Sequence, residues 1–553
     1  MPVRSSSGGL RRKLPLALAA LWVLPLWVVG FPPMVDYPQQ LALAAILRWY
    51  GDPARRFRET YELALWAPHG LFKLLTAGLA WAMPINGAGK LVVSASLLGV
   101  GWAALALCRR TGRPGWYALL ALALTYGTIF YWGFVDNLIA YPLALGGVAM
   151  ADGQLDRPFR GRSWLALAAV TVLFYTVHLQ FLLLFAGMVG WLAVCRLPLS
   201  RDWKRLLLWL SALVPGLIAC GAVMAYGVLR SPAGVISEYE RRMRSAPPLR
   251  LPLGAKLARL PELLFGPYPD RTGWVLAGLL VLAAALAVLF RDRSVGCAVR
   301  TMTGAEGAHS APYGQDESAP PSPPGRGGQG VRDRLFRTRF ATLAAWLFLI
   351  YVVLPEFRGG YLIAERVAPL AAMLAVVALP PLLPERRRLV AAVVMAVAVF
   401  QLGQTLSAFL RFRTESAGLA ELLAGTGPGR NLAGLVFARE SASWPGMPVY
   451  LHFPAYYQVE KGGRTLFSFA ELFQTSARFR PGQSWDDLLR EWNDWNPRFF
   501  DYPRHGGRFR YFLVRGGPVE VTGAFHGDPG RLGLVGKTAG EWWLFERKKP
   551  SPP

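Results

Sequence analysis

Asp36 follows an apolar run, 13–31, long enough to cross a bilayer core of ~30 Å, and it opens the stretch MVDYPQQLALAAIL. A carboxylate at that junction is costly to bury and easily hydrated, so it reads as a site residue rather than as packing. Its chemistry would be that of a catalytic carboxylate, ionised and ready to act. Pro38 is at home in a first helical turn, so a helix begins beside Asp36 and its N-terminal dipole favours the ionised acid. The same spacing reads equally well as a helix cap.

Other polar residues interrupt apolar sequence in similar places. Asp136 and Asn137 form the only polar break between two apolar runs in YWGFVDNLIAYP, where the acid either caps the next helix or faces a shared cavity. His178, with Gln180 close by, divides 164–195, a run too long for one crossing, and His69 stands in WAPHG. Each histidine is a candidate for binding a phosphate or a hydroxyl, against the plainer reading of a turn residue. In LPEFRGGYLIAERVAPL, Glu356, Arg358, Glu365 and Arg366 lie at a span entrance. An arginine there must pair, either with Glu365 or with an anionic ligand, and its planar fork suits phosphate, so Arg358, Glu365 and Arg366 are the expected phosphate contacts.

The elements that position these residues are membrane spans. The chain has 553 residues, 53% hydrophobic and only 17% charged, with mean hydropathy +0.30, which excludes a string of soluble domains. Its net charge of +26 lies mostly in short tracts between apolar runs, the pattern that encodes membrane orientation rather than nucleic-acid binding. Apolar runs at 13–31, 88–107, 115–131, 134–150, 164–177, 178–195, 205–229, 273–290, 340–355, 363–384 and 389–410 give eleven crossings. The stretch 71–84 is too short and reads as a partly crossing helix. With the basic N-terminus cytoplasmic and the first run uncleaved, CRRTGRPG, ADGQLDRPFRGR, CRLPLSRDWKR, PERRR and the tract 291–339 all fall inside. Loop 32–70, with a helix on the membrane surface, and the remaining candidate residues then share the outer face.

Residues 1–410 thus form a transmembrane helical domain, with a Pro/Gly/Ser-rich cytoplasmic linker at 301–333. Residues 411–553 have the composition of a small α/β domain on the outer side, with strands expected at 447–453, 509–516 and 541–547 and a helix at 484–495. The four cysteines, Cys108, Cys195, Cys220 and Cys297, have neither disulfide nor zinc spacing. There is no GxxxxGK[ST] and no HExxH.

An acid in the first outer loop, a surface helix after it, about eleven to twelve spans and an outer C-terminal domain together resemble the GT-C superfamily of integral-membrane glycosyltransferases. The resemblance implies a sugar taken from a polyprenyl-phosphate carrier and passed to a lipid, glycan or protein acceptor outside the cytoplasm of a bacterial inner membrane. It also implies that Asp36 is the general base or helps to hold a divalent cation such as magnesium or manganese. Many relatives carry a second acid or a histidine shortly after the first; here Gln39 and Gln40 occupy that stretch, and Asp136 is the residue left to supply it. Two other classes stay open: a lipid or glycan transporter or flippase, and a non-catalytic envelope-assembly subunit.

Overall fold

The computed structural model describes residues 20–65, 67–197, 203–230, 250–292, 338–355, 362–472, 475–526 and 529–548. The expected linker at 301–333, Glu356, Arg358 and Cys297 lie outside the described residues.

Within the first run, residues 20–28 are helical, and Tyr37–Arg48 follows as α1. Next come the short strand β1 (Tyr61–Leu63) and α2 (Leu71–Leu79). At nine residues α2 is ~13 Å long, less than half a bilayer core. The bundle continues through α3 (Ile85–Arg110), α4 (Val135–Leu155), α5 (Gly161–Val177), α6 (Leu179–Val194), α7 (Thr272–Leu289), α8 (Arg339–Val353), α9 (Val367–Val377) and α10 (Arg387–Glu415). Apolar helices also cover Gly115–Tyr126 and Trp203–Val223, so each apolar run read from residue 88 onward coincides with a described apolar helix. The molecule is a polytopic helical membrane protein.

Small residues let these helices approach. A Cβ at Gly99 of α3 would stand 3.0 Å from the Cβ of Pro142, which lies inside α4. Where helices cannot gain from water exclusion, such close packing supplies the attraction. At the far end of the bundle, Asp152 of α4 is fully buried and accepts from Arg110 Nε (2.8 Å), Arg196 Nη2 (2.8 Å) and Arg339 Nε (2.6 Å). Asp156 binds Arg110 and Arg196 as well, at 2.8 and 2.7 Å. One acidic turn thus ties the ends of α3, α4, α6 and α8.

After α10 the chain forms a five-stranded sheet from β2 (Asn431–Val436), β3 (Arg464–Thr465), β5 (Tyr511–Arg515), β6 (Leu532–Lys537) and β7 (Trp542–Arg547), in the order β3-β2-β5-β7-β6. β2 pairs in parallel with β3 and β5, whereas β7 runs antiparallel to β5 and β6. Alternation along β5 divides two cores. Tyr511 and Leu513 face the hydrophobic core continuous with the membrane bundle; Phe512 and Val514 face a second core with Trp485, Trp492, Phe500, Tyr502 and Phe525. The aromatics of 491–503 are therefore mostly core, with Trp495 and Phe499 left exposed. A short helix, Asp486–Glu491, lies within the expected 484–495, and β5 and β7 fall where strands were expected.

The strand expected at 447–453 is corrected: the segment is a succession of turns. Met447, Val449, Tyr450, Leu451 and Phe453 are all buried, with Tyr450 stacked on Phe412 of α10 and Phe453 on Trp542 of β7. A strand exposes or buries alternate residues, and this run, bracketed by Pro448 and Pro454, buries consecutive ones.

The C-terminal region also grips the first loop. β1 pairs antiparallel with β4 (Ala477–Phe479), Tyr61 opposite Phe479. Arg55 donates to the Val459 carbonyl (2.9 Å), Gln458 to the Tyr61 hydroxyl (2.7 Å), and the Gly463 N–H to the Arg55 carbonyl (2.9 Å). Ten of the twelve residues of α1 are buried. The helix lies between α2 on one side and Ala455–Lys461, designated α11, on the other.

Candidate active site

Asp36 is held by its own backbone. Val35 and Asp36 donate their N–H groups to the carbonyls of Tyr131 (2.9 Å) and Trp132 (3.0 Å), so the junction is strung along the turn that precedes α4. Gly133 makes this possible. Its φ is +75°, and a Cβ there would stand 2.8 Å from the Asp36 nitrogen and 2.7 Å from that of Tyr37. Although Asp36 stands at the N-cap of α1, its side chain makes no capping bond. Its Oδ1 lies 3.2 Å from Nδ1 of His452 instead, and the side chain keeps 14% of its surface exposed.

Beyond the same turn, Asp136 occupies the first turn of α4 and accepts from Lys73 Nζ of α2 at 2.9 Å; both side chains are buried. Lys73 also donates to the His69 carbonyl. His69 has φ +62°, a left-handed geometry uncommon for a side chain larger than glycine, and that twist turns the carbonyl toward the ammonium. The His69 ring meets His178 edge to face at 4.4 Å, and its Nδ1 stands 4.0 Å from Asp136 Oδ2.

Arg366, at the head of α9, donates from Nη1 to His178 Nε2 at 2.6 Å and lies over the Phe134 ring at 4.2 Å. Tyr141 donates to its carbonyl at 3.1 Å, while Gln180 of α6 donates to the Ile363 carbonyl at 2.7 Å. The guanidinium is within electrostatic reach of Asp36, Asp136 and Glu365. The pairing expected of it is thus met by a histidine and a ring, with no carboxylate in ion-pair contact among the described residues. Since a guanidinium can only donate, His178 Nε2 accepts and its proton sits on Nδ1. That Nδ1, the Arg366 Nε and the Asn137 Nδ2 are buried donors with no partner among the described residues, as is the acceptor Asp136 Oδ1.

The structure therefore gathers Asp36, Asp136, Asn137, His69, His178, Glu365 and Arg366 at one end of the bundle; Arg358 lies outside the described residues. Two participants escaped the sequence. Lys73 is the only cation of the short stretch 71–84, and a lone lysine at membrane depth carries the same signal that singled out Arg366. His452 sat within a presumed strand, though a chain with six histidines in 553 residues gives each some weight.

Neither acid suits a divalent cation as arranged: Lys73 occupies Asp136 and His452 faces Asp36. Among the described residues no group of three or more His, Cys, Asp or Glu side chains is arranged to hold a metal ion. No step below runs through a metal.

What the site can do follows from its parts. A partly exposed carboxylate can take a proton from a hydroxyl, and a cluster of unpartnered N–H donors and cations beside it suits an anionic group. Apolar spans, an acid at the first junction and a sheet domain after the last span make up a fold that is shared with solved structures. The structure of ArnT from Cupriavidus metallidurans bound to undecaprenyl phosphate aligns with TM-score 0.51 at 14% identity, over 99% of this chain and 100% of that one. The apo state of the same protein aligns with TM-score 0.52 at 13% identity and the same coverage. At such identities the likeness is one of fold. No family model and no curated relative matches the sequence.

Proposed function

We propose that the protein is a membrane glycosyltransferase that takes a sugar from a polyprenyl-phosphate carrier and passes it, with inversion, to a hydroxyl of a lipid, glycan or protein acceptor on the outer face of a bacterial inner membrane. In this reading the N-terminus is cytoplasmic and the C-terminal domain extracytoplasmic. The observation that carries the proposal is the set of buried, unpartnered donors on His178, Arg366 and Asn137 gathered with Lys73 near an ionisable acid. Buried donors are almost always satisfied in folded proteins, and a cluster left open is one built for a ligand. The fold neighbour solved with undecaprenyl phosphate supports phosphate as that ligand.

The chemistry then divides between two groups. The acceptor oxygen attacks the anomeric carbon as the carbon–oxygen bond to phosphate breaks, and the departing phosphate keeps the electron pair. Asp36 takes the acceptor's proton, an assistance worth roughly 10²–10⁴-fold. Lys73, Arg366 and the His178 Nδ1–H neutralise the charge that collects on phosphate, each donor contributing on the order of 10²–10³-fold in a dry site. Asp136 holds Lys73 in place until phosphate arrives.

Asp36→Asn tests this reading directly. With a polyprenyl-phosphate sugar in nanodiscs, transfer should fall by about 10²–10⁴-fold while carrier-lipid binding and thermal stability stay at the wild-type level. Retained transfer would remove Asp36 from the mechanism. Flux of the carrier across liposomes without any acceptor would turn the reading toward a flippase.

A further inference from the structure

We propose that His452, supplied by the C-terminal domain, is a positioning residue for Asp36, so that the membrane site is completed by the sheet domain standing over it. The inference rests on the reading of Asp36 as the base.

The geometry is a three-part chain. His452 is buried, with Nδ1 at 3.2 Å from Asp36 Oδ1 and Nε2 at 3.0 Å from Asp494 Oδ2. Phe467 stacks on the imidazole at 5.3 Å and Phe469 meets it edge-on at 5.6 Å. Gln39, one turn into α1, fastens that aromatic wall: its amide donates to the Phe467 carbonyl at 3.1 Å and accepts from the Phe469 N–H at 3.2 Å. The helix that begins beside Asp36 is therefore bound to the same residues that enclose His452. A helix cap would need none of this, and Asp36 makes no capping bond.

The charged groups facing the imidazole are Asp36 from the head of α1 and Asp494 from the C-terminal domain; its other neighbours described above are uncharged rings, and Arg366 acts on Asp36 from elsewhere in the site. Burial pulls the His452 imidazole down, but hydrogen bonds and charge from the two acids outweigh it and raise it to about 9. At neutral pH the ring is an imidazolium that hydrogen-bonds Asp494 through Nε2 and faces Asp36 Oδ1 with Nδ1 at ion-pair distance. Its positive charge, 3.2 Å from Oδ1 of Asp36, fixes that side of the carboxylate and leaves Oδ2 to meet the acceptor hydroxyl. During transfer the acceptor's proton goes to Oδ2 and then to water after product leaves; His452 keeps its own proton throughout. Asp494 holds the ring in the orientation this requires.

The test uses the full chain in nanodiscs. In His452→Gln, loss of the neighbouring positive charge should move the acidic limb of the kcat/KM profile upward. It should lower kcat at least tenfold near pH 6 and leave KM for the carrier-linked sugar unchanged. His452→Leu should be worse than His452→Gln, and Asp494→Asn should shift the limb in the same direction by less. A second readout does not depend on turnover: with ¹⁵N-histidine labelling, the resonance lost in His452→Gln should titrate near 9 in the wild type and at lower pH in Asp36→Asn. An unmoved acidic limb, or a titration indifferent to Asp36→Asn, overturns the proposal. If Asp36→Asn transfers normally, the base reading fails instead, while the resonance still reports whether the pair exists. Should His452→Gln misfold, Asp494→Asn and the Asp36→Asn titration decide the matter.

Discussion

α4 carries an acid near each end, and the two ends are built differently. At its last turns Asp152 is saturated: three arginines donate to its carboxylate, and neither oxygen is left over. At its first turn Asp136 has one bound cation, Lys73, and its other oxygen has no partner. Around it are donors in the same condition on His178, Arg366 and Asn137. A buried polar network that is fully satisfied fixes one arrangement of helices, whereas a half-satisfied one is unfavourable by itself and is retained where a ligand completes it. Burial and charge are alike at the two ends of α4; the leftover hydrogen-bonding capacity around Asp136 is what sets them apart.

That contrast can be broken experimentally. The largest effect expected is on stability, at the saturated end: Asp152→Asn strands buried arginines and should cost about 3–5 kcal/mol, read as a collapse of folded yield or thermal midpoint, while Asp136→Asn, which weakens one buried pair and leaves Lys73 an amide oxygen to donate to, should cost clearly less. Equal losses at both ends would erase the distinction. Lys73→Met should follow, lowering kcat/KM for the carrier-linked sugar by about 10²–10³-fold, with a smaller loss of stability than Asp152→Asn because a single buried partner, Asp136, is left behind; a variant that unfolds instead would make Lys73 chiefly a structural partner of Asp136. Gly133→Ala, which forces a side chain into a left-handed position against the Asp36 backbone, should cost about 1–3 kcal/mol and displace Asp36, so that its activity falls further than its stability. His452 sets a pH window. Its folded-state pKa, raised to about 9, lies above the ordinary histidine value, so its contribution is complete below ~6.5 and is lost as pH rises through 9. Stability should fall across that interval by up to ~1.4 kcal/mol per pH unit, and His452→Gln should abolish the slope. The smallest change is expected from Arg508→Gln, which removes an exposed pair with Asp487 and should move stability by less than ~1 kcal/mol.

The helical scaffold could be read from the chain because membrane spans declare themselves by uninterrupted apolar length, and each run from residue 88 onward has its helix. Polar residues breaking such runs were visible for the same reason. Lys73 was passed over because its stretch is short, and short apolar stretches invite a reading as packing rather than as a place where charge is conspicuous. His452 and Asp494 were hidden more deeply. They belong to a region of mixed composition, and their pairing with Asp36 joins positions more than 400 residues apart, for which local periodicity holds no signal. The misread strand at 447–453 has the same origin: β-like composition there serves a segment buried on every side, and tertiary packing overrode propensity.

The pairing of β1 with β4 has a consequence for how the protein is made. Residues 61–63 leave the ribosome long before residues 477–479, their only strand partners among the described residues. At ~5–20 residues per second the interval is roughly 20–80 s. Throughout it the edge of β1 must wait as an open ladder, and until residues 455–461 emerge one side of α1 is uncovered as well, exposed to whatever surveys unfinished membrane proteins. A chain cut short before residue 477 would stay in that condition permanently, which makes the last part of translation the checkpoint for the first.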